Sequence, residues 1–89
     1  DGLRTPSVGV LPFEHLTAYV DDIVTVSEQE IRDTVALLAR RGRLVAEPSG
    51  AVAPAAYFHR AAETGGQAVA AVVSGGNIDP ALLAELLAA

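Results

Sequence analysis

The chain has 89 residues and a formal net charge of −5, with 51% hydrophobic and 19% charged residues. This length predicts one small domain, and the acidic balance disfavours a nucleic-acid backbone or an anionic membrane as partner. The absence of cysteine excludes disulfides and thiolate metal sites. No apolar run approaches membrane-spanning length and no signal-peptide layout is present, which predicts a cytoplasmic protein.

The first third of the chain predicts a loop, a helix and a strand. Residues 1–11 are punctuated by glycine and proline, as in a loop or an irregular strand. Residues 12–20 begin with proline and carry apolar residues at helical spacing, which predicts a short helix. Residues 22–26 form a brief β-branched run and predict a strand.

A capping box marks the start of the next helix. Ser27 stands three residues before Glu30, so the hydroxyl and the carboxylate can each satisfy a free backbone N–H. We expect this helix to end at Gly42. Its predicted buried face consists of Ile31, Val35 and Leu38.

The second half predicts two further helices and a buried strand. Residues 43–51 form a short extended piece that turns into an alanine-rich helix over residues 49–64, where Pro54 predicts a late start or a kink. Residues 67–73 show no polar alternation, as in a parallel strand covered on both faces. Asp79 caps a last helix. Its predicted buried stripe consists of Leu82, Leu83, Leu86 and Leu87.

This order of elements predicts an α/β fold with helices layered on a parallel sheet. Ligands of such sheets bind beyond the carboxyl ends of the strands, where Ser74 follows the run of residues 67–73. Gly75 and Gly76 would allow a ligand close to the backbone. Residues 74–77 also suit a tight turn in which the Ser74 hydroxyl merely satisfies a backbone group, and spacing leaves both interpretations open.

Two other places could bind a ligand, but each has a simpler structural explanation when it is considered alone. Glu47 precedes a helix N-terminus, where a carboxylate can meet a ligand but more simply complements the helix dipole. Thr5 and Ser7 offer hydroxyls suited to a small carboxylate, although their surroundings are those of an ordinary loop.

Four stretches taken together resemble the C-terminal part of the threonine dehydratase and serine racemase family. They are "DGLRTPSVG", "VDDIVTVSEQEI", "LVAEPSGA" and "VVSGGNID", and they cover essentially the whole chain in the family's order and approximate spacing. These are pyridoxal-phosphate enzymes of the tryptophan-synthase-β type, also called fold type II. The resemblance therefore implies a part of that three-layer, parallel-sheet fold.

The resemblance also implies roles for individual residues. Ser74 matches the serine that hydrogen-bonds the pyridine nitrogen of the cofactor, and the adjoining Gly75 belongs to the same cofactor-binding motif. By the same resemblance Glu47 lies near the cofactor ring and Gly2 approaches it by its main chain. Thr5 falls where a hydroxyl helps to hold the substrate carboxylate.

Three further implications concern the effector, the metal and the assembly. Asn77 matches a position that contacts nucleotide in the effector-regulated racemases. The Mg²⁺ ligands of some members are expected upstream of Asp1, so no metal ligand is assigned within this chain. A homodimer is also expected.

The chain contains no lysine and does not begin with methionine. The family holds its cofactor through a lysine and grips the phosphate with a glycine-rich loop, both earlier in the polypeptide. We therefore expect an expression fragment, a cleavage product or one piece of a longer chain, without catalytic residues and inactive alone because covalent catalysis needs an amine nucleophile.

The leading hypothesis is that residues 1–89 form the C-terminal segment of a threonine/serine dehydratase, an ammonia-lyase. Such an enzyme eliminates water from a small hydroxy-amino acid and yields a 2-oxo acid and ammonia. A serine racemase or hydroxyaspartate dehydratase of the same family is the first alternative. The second is a non-catalytic interaction or dimerisation module, suggested by Tyr57 and Phe58 and by bare sheet edges.

Overall fold

The computed structural model describes residues 3, 7–60 and 68–89. Within these ranges it contains four α-helices and one 3₁₀ helix: α1 (Val10–Tyr19), α2 (Glu28–Gly42), the 3₁₀ helix (Pro48–Ala51), α3 (Val52–His59) and α4 (Pro80–Ala88). None of the helices in this part of the chain is both long and apolar enough to cross a membrane.

The capping box of α2 is formed as the sequence predicts. The Glu30 backbone N–H donates to Ser27 Oγ over 3.1 Å, and the Ser27 backbone N–H donates to Glu30 Oε1 over 2.8 Å. The helix ends at Gly42, which is also as predicted. The left-handed residue that terminates it is Arg43, with φ of 54°, and not the glycine.

Arg60 fastens the C-terminal end of α3 to the start of α2. Its Nη2 lies 3.0 Å from Glu30 Oε1, and its Nε donates to the backbone oxygen of Thr25 over 3.3 Å. The hydrogen bond from the Ser27 backbone is the main reason why the pKa of Glu30 lies below its ordinary value, and the Arg60 charge adds to the shift. Glu30 thus serves the cap and the contact between helices at once.

Prolines in the first helical turns explain where α1 and α3 begin. α1 starts at Val10, two residues before the predicted start, so Pro12 lies within its first turn. The 3₁₀ helix precedes α3, which places Pro54 in the first turn of α3 and confirms the predicted late start. A proline is tolerated there because the first N–H groups of a helix have no intrahelical acceptor. The predicted end of this helix near residue 64 lies outside the described residues.

The core lies between α2, the 3₁₀ helix and α4. Its fully or almost fully buried members are Val35, Ala46, Ala51 and Leu86. Six half-buried side chains pack against them: Ile31, Leu38, Val73, Ile78, Leu82 and Leu83. α4 begins as predicted, with Asp79 Oδ1 accepting from the Ala81 N–H over 3.1 Å, and Leu86 is its buried residue. Small side chains let α3 pack closely on α2.

The described residues contain no β-strand, so the predicted parallel sheet is not confirmed by this structure. Residues 22–26, 43–47 and 69–73 are free of helix, which fits the predicted strand positions. A strand exists only when its backbone forms a ladder with a neighbour. Among the described residues, no backbone hydrogen bond joins two of these segments; the nearest to one runs from the Glu47 N–H to the oxygen of Gly75, two residues past the third segment, over 3.1 Å. Gln67, the first residue of the predicted third strand, lies outside the described residues.

Candidate functional site

Ser74 lies where the apolar segment 69–73 ends and the chain turns toward α4. Its side chain is exposed, and its hydroxyl forms no hydrogen bond with any residue that the structure describes. The turn after it is closed locally by the Ile78 N–H, which donates to the Gly76 oxygen over 3.0 Å. The interpretation of Ser74 as a residue that satisfies its own turn therefore has no support in these contacts. The hydroxyl is free to donate to a ligand or to accept from one.

Glu47 and Gly75 are brought into direct contact. Besides the backbone hydrogen bond between them, the Glu47 carboxylate lies against the Cα of Gly75. A Cβ on Gly75 would stand only 3.1 Å from the carboxylate carbon and would overlap Oε1. Glu47 is half-buried and precedes the 3₁₀ helix without capping it through its side chain. Its carboxylate therefore stands beside the turn that presents Ser74.

Gly50 is a residue of this site that sequence reasoning missed. It is buried, and a Cβ at this position would lie 2.8 Å from the Gly75 nitrogen and closer still to the Gly75 oxygen. A Cβ on Gly76 would likewise lie 2.6 Å from the Val45 oxygen. The signal for Gly50 was a glycine in the first turn of a helix, a place that offers it no conformational advantage. Close approach of a neighbouring backbone thus explains Gly50 and Gly76, whereas Gly75 leaves room for the Glu47 carboxylate.

Asn77 is exposed and lies beside the same segment. It lines a shallow depression of about 570 Å³ with Arg32, Glu47 and Asp79, between the start of α2 and the start of α4. The structure thus brings Asn77 near Glu47, so the predicted effector residue and a predicted cofactor residue share one surface. Gly2 and Thr5 lie outside the described residues, and their roles stay predictions.

The residues between 7 and 60 and between 68 and 89 contain no cluster of three or more histidine, aspartate or glutamate side chains placed to hold a metal ion. The donors gathered at the turn are a neutral hydroxyl and a half-buried carboxylate. The expectation of upstream Mg²⁺ ligands concerns residues beyond this chain and stays a prediction.

Comparison with known proteins identifies the protein family to which the chain belongs. A family model described as pyridoxal-phosphate dependent enzyme matches residues 1–75. The chain belongs to this family of pyridoxal-phosphate dependent enzymes, whose fold is of the tryptophan-synthase-β type. No solved structure matches the chain significantly.

Three curated relatives illustrate the similarity. L-threonine ammonia-lyase from Thermotoga maritima is 39% identical over 87 residues, which cover 98% of this chain and 21% of that protein. L-threo-3-hydroxyaspartate ammonia-lyase from Saccharomyces cerevisiae is 36% identical over 87 residues, 98% of this chain and 27% of that enzyme. Serine racemase from Schizosaccharomyces pombe is 34% identical over 79 residues, 89% and 24% respectively. The chain thus spans about a fifth to a quarter of the relatives it matches.

The turn that carries Ser74 fits one edge of the family's cofactor. A pyridine nitrogen can accept a hydrogen bond, and an exposed hydroxyl without an internal partner could donate it. A neutral hydroxyl beside that nitrogen would not hold it in its protonated form as a carboxylate would. The sequence contains no lysine, so residues 1–89 include no amine side chain that could bond the cofactor covalently.

Proposed function

We propose that this chain forms the pyridine side of the cofactor site in a threonine/serine ammonia-lyase. The observation that carries the proposal is the free, exposed Ser74 hydroxyl, held next to Glu47 by the contact of Gly75 with that residue. The names of the relatives support the reaction class, since they include ammonia-lyases acting on threonine and on threo-3-hydroxyaspartate.

In this proposal each residue acts by binding and orienting. Bound pyridoxal phosphate supplies an aromatic ring that withdraws electrons from the substrate's α-carbon. The Ser74 hydroxyl hydrogen-bonds the ring nitrogen and leaves it unprotonated, which suits a β-elimination that needs no long-lived carbanion. Glu47 lies beside the ring, with Gly75 as the contact that fixes its position, and Thr5 and Gly2 complete the substrate and cofactor contacts.

The proposal extends to the parts that relatives have and this chain lacks. The lysine and the phosphate-binding loop come from polypeptide outside residues 1–89, and the extended segments of this chain become strands of the family's sheet beside it. A cytoplasmic location and a homodimer belong to the same proposal.

A chimeric enzyme tests the role of Ser74. The segment of the Thermotoga maritima relative that matches this chain is replaced by residues 1–89, and 2-oxo acid formation from threonine, serine and 3-hydroxyaspartate is measured together with cofactor absorbance. We expect Ser74→Ala to lower kcat about 10- to 100-fold, since a hydrogen bond of roughly 1–3 kcal/mol is lost. Thr17→Ala is the matched control, because that exposed hydroxyl bonds only to Phe13 of its own helix.

Activity of Ser74→Ala within twofold of the parent chimera would contradict the role of Ser74. An unsubstituted chimera that fails to bind pyridoxal phosphate would contradict the proposal as a whole.

Serine racemase is the second candidate, because a racemase is among the relatives at 34% identity. The same chimera separates the two reactions with L-serine as substrate. An ammonia-lyase yields pyruvate and ammonia, whereas a racemase yields D-serine, which chiral chromatography detects. D-Serine as the main product would replace the first candidate by the second.

A further inference from the structure

The turn that follows Ser74 lies against the backbone of two other segments of the chain. A Cβ built on Gly76 would lie 2.6 Å from the Val45 oxygen. A Cβ built on Gly50, in the 3₁₀ helix, would lie 2.8 Å from the Gly75 nitrogen and 3.1 Å from its carbonyl carbon. At both places the turn approaches a neighbouring backbone more closely than a side chain would allow.

Gly50 and Gly76 are required for space and not for backbone conformation. Neither has a φ in the positive range that favours glycine, so other residues could adopt their backbone angles. What each position needs is the absence of a Cβ. At Gly76 the space that a Cβ would occupy is already taken by the chain's own Val45 carbonyl group.

The 3₁₀ helix is held firmly on its other side. Ala46 before it and Ala51 at its end are fully buried in the core. The Gly50 N–H donates to the Glu47 oxygen over 2.9 Å, and the Glu47 N–H donates to the Gly75 oxygen over 3.1 Å. Because protein cores are close-packed, the 3₁₀ helix cannot withdraw to make room for a larger residue at position 50.

A methyl group at position 50 would therefore displace the turn. Ordinary van der Waals contact begins at 3.4 Å, so the Gly75 nitrogen would have to withdraw by about 0.6 Å. That nitrogen is bonded to the carbonyl carbon of Ser74, which would move with it. Hydrogen-bond lengths span only about 0.5 Å, so a shift of this size is enough to weaken a bond made by the Ser74 hydroxyl.

We propose that Gly50 and Gly76 are positioning residues that set the place of the Ser74 hydroxyl relative to the pyridine nitrogen of the bound cofactor. The proposal rests on the proposed function, which supplies the role of Ser74, and it names the two residues on which that role depends. The effect of both glycines passes through Ser74, whose hydroxyl forms the hydrogen bond.

Nuclear magnetic resonance of the cofactor tests the proposal without any turnover. The chimera is loaded with pyridoxal phosphate that carries ¹⁵N in its ring, and the chemical shift of that nitrogen reports its hydrogen bond. Ser74→Ala gives the change for complete loss of the bond. We expect Gly50→Ala and Gly76→Ala to move the shift in the same direction by at least about a third of that change. Gly42→Ala is the matched control, because its Cβ would meet only the Leu44 Cβ at 3.9 Å, and it is expected to leave the shift unchanged.

Kinetics of the same variants separate positioning from a general loss of structure. With kcat expressed per bound cofactor, Gly50→Ala is expected to lower kcat about tenfold and to change the KM for threonine by less than about threefold. In a Ser74→Ala background the same substitution should lower kcat by less than about twofold, since the bond that it disturbs is already absent. A merely structural role would lower kcat by the same factor in both backgrounds.

Gly76→Ala is measured in the same two backgrounds, so the test survives if one glycine variant does not fold. Far-UV circular dichroism of each chimera checks that its helices are retained. Equal effects of the glycine substitutions with and without the Ser74 hydroxyl would overturn the proposal.

The ring-nitrogen shift separates this proposal from the proposed function. A shift that changes in Ser74→Ala but in neither glycine variant would overturn the positioning role and leave the proposed function intact. A shift that does not change in Ser74→Ala would contradict the proposed function and, with it, the role of the two glycines.

Discussion

Apolar side chains are buried on one side of this molecule and exposed on the other. On one side α2, the 3₁₀ helix and α4 enclose Val35, Ala51 and Leu86, which are between 0% and 3% exposed. On the other side α1 and the neighbouring extended segments expose theirs, with Val10 and Tyr19 each 80% exposed. Valine and leucine occur on both sides, so residue type alone does not explain the difference.

The difference separates a part of the chain whose apolar side chains pack against one another from a part whose apolar side chains stay exposed. A helix pair can close a small core by packing side chains between two neighbours, as α2 and α4 do. An extended segment needs a backbone neighbour on each side, and burying its apolar faces requires further layers. Ser74 lies at the boundary between the buried core and the exposed side. Val73, just before it, packs on the core, whereas Val72 is 70% exposed.

Matched leucine truncations on the two sides give the largest expected effect. Leu86 is 3% exposed and Leu11 is 63% exposed, and both lie within helices. Leu86→Ala is expected to lower the free energy of unfolding by about 2–5 kcal/mol, because it leaves a cavity in the core. Leu11→Ala is expected to change it by no more than about 0.5 kcal/mol. Urea unfolding followed by circular dichroism measures both, and equal losses would contradict the division into two sides.

Alanine at two glycines tests how tightly the site turn is packed. Gly50→Ala is expected to cost about 1–3 kcal/mol of unfolding free energy, because the new Cβ meets the Gly75 backbone, which cannot move alone. Gly75→Ala is expected to cost less, since its Cβ meets the end of the Glu47 side chain, which can rotate away.

The double variant Glu47→Ala/Gly75→Ala is the control for the second of these substitutions. Removing the carboxylate is expected to relieve the clash, so the two substitutions together should cost less than their sum. Strict additivity in urea unfolding would contradict the contact between Glu47 and Gly75.

Two exposed serines separate structural from functional hydroxyls. Ser27→Ala removes the cap of α2 and is expected to lower the free energy of unfolding by about 1 kcal/mol. Ser74→Ala removes a hydroxyl without an internal partner among the described residues and is expected to change stability by less than about 0.5 kcal/mol. Thermal unfolding of the two variants checks the contrast. A larger loss for Ser74→Ala would identify its hydroxyl as part of the turn.

The sequence predicts the elements whose signals are local. The capping box of Ser27 and Glu30 defines the start of α2, and Asp79 with Pro80 defines the start of α4. Both signals act within four residues, so no distant partner is needed to confirm them. The strands are the opposite case, because residues 22–26 show a strand's composition while the ladder that would make them one depends on a segment far away in sequence.

In the candidate site, too, some features could be predicted from the sequence and others depend on contacts between distant segments. Glu47, Ser74 and Gly75 were identified through resemblance to a family, and the chain's membership of that family is now shown. The direct contact of Glu47 with Gly75 and the part played by Gly50 depend on backbone segments about 25 residues apart meeting in space. Periodicity and turn signals carry no information about such a meeting.

The pH dependence contributed by Glu30 is the smallest effect that we expect. Its pKa is lowered in the folded chain, first by the Ser27 backbone hydrogen bond and then by Arg60, so the unfolded chain binds the proton more readily. The stabilisation is therefore complete above the ordinary glutamate pKa of about 4.3 and is lost as the pH falls through the lower, folded value. Urea unfolding of the parent chain and of Glu30→Gln between pH 3 and pH 6 should show their difference shrinking toward the acid end. Arg60→Gln removes the ion pair and keeps the cap, so its free energy of unfolding should retain most of the parent chain's dependence on pH. A dependence as weak as that of Glu30→Gln would identify Arg60 as the main cause of the lowered pKa of Glu30.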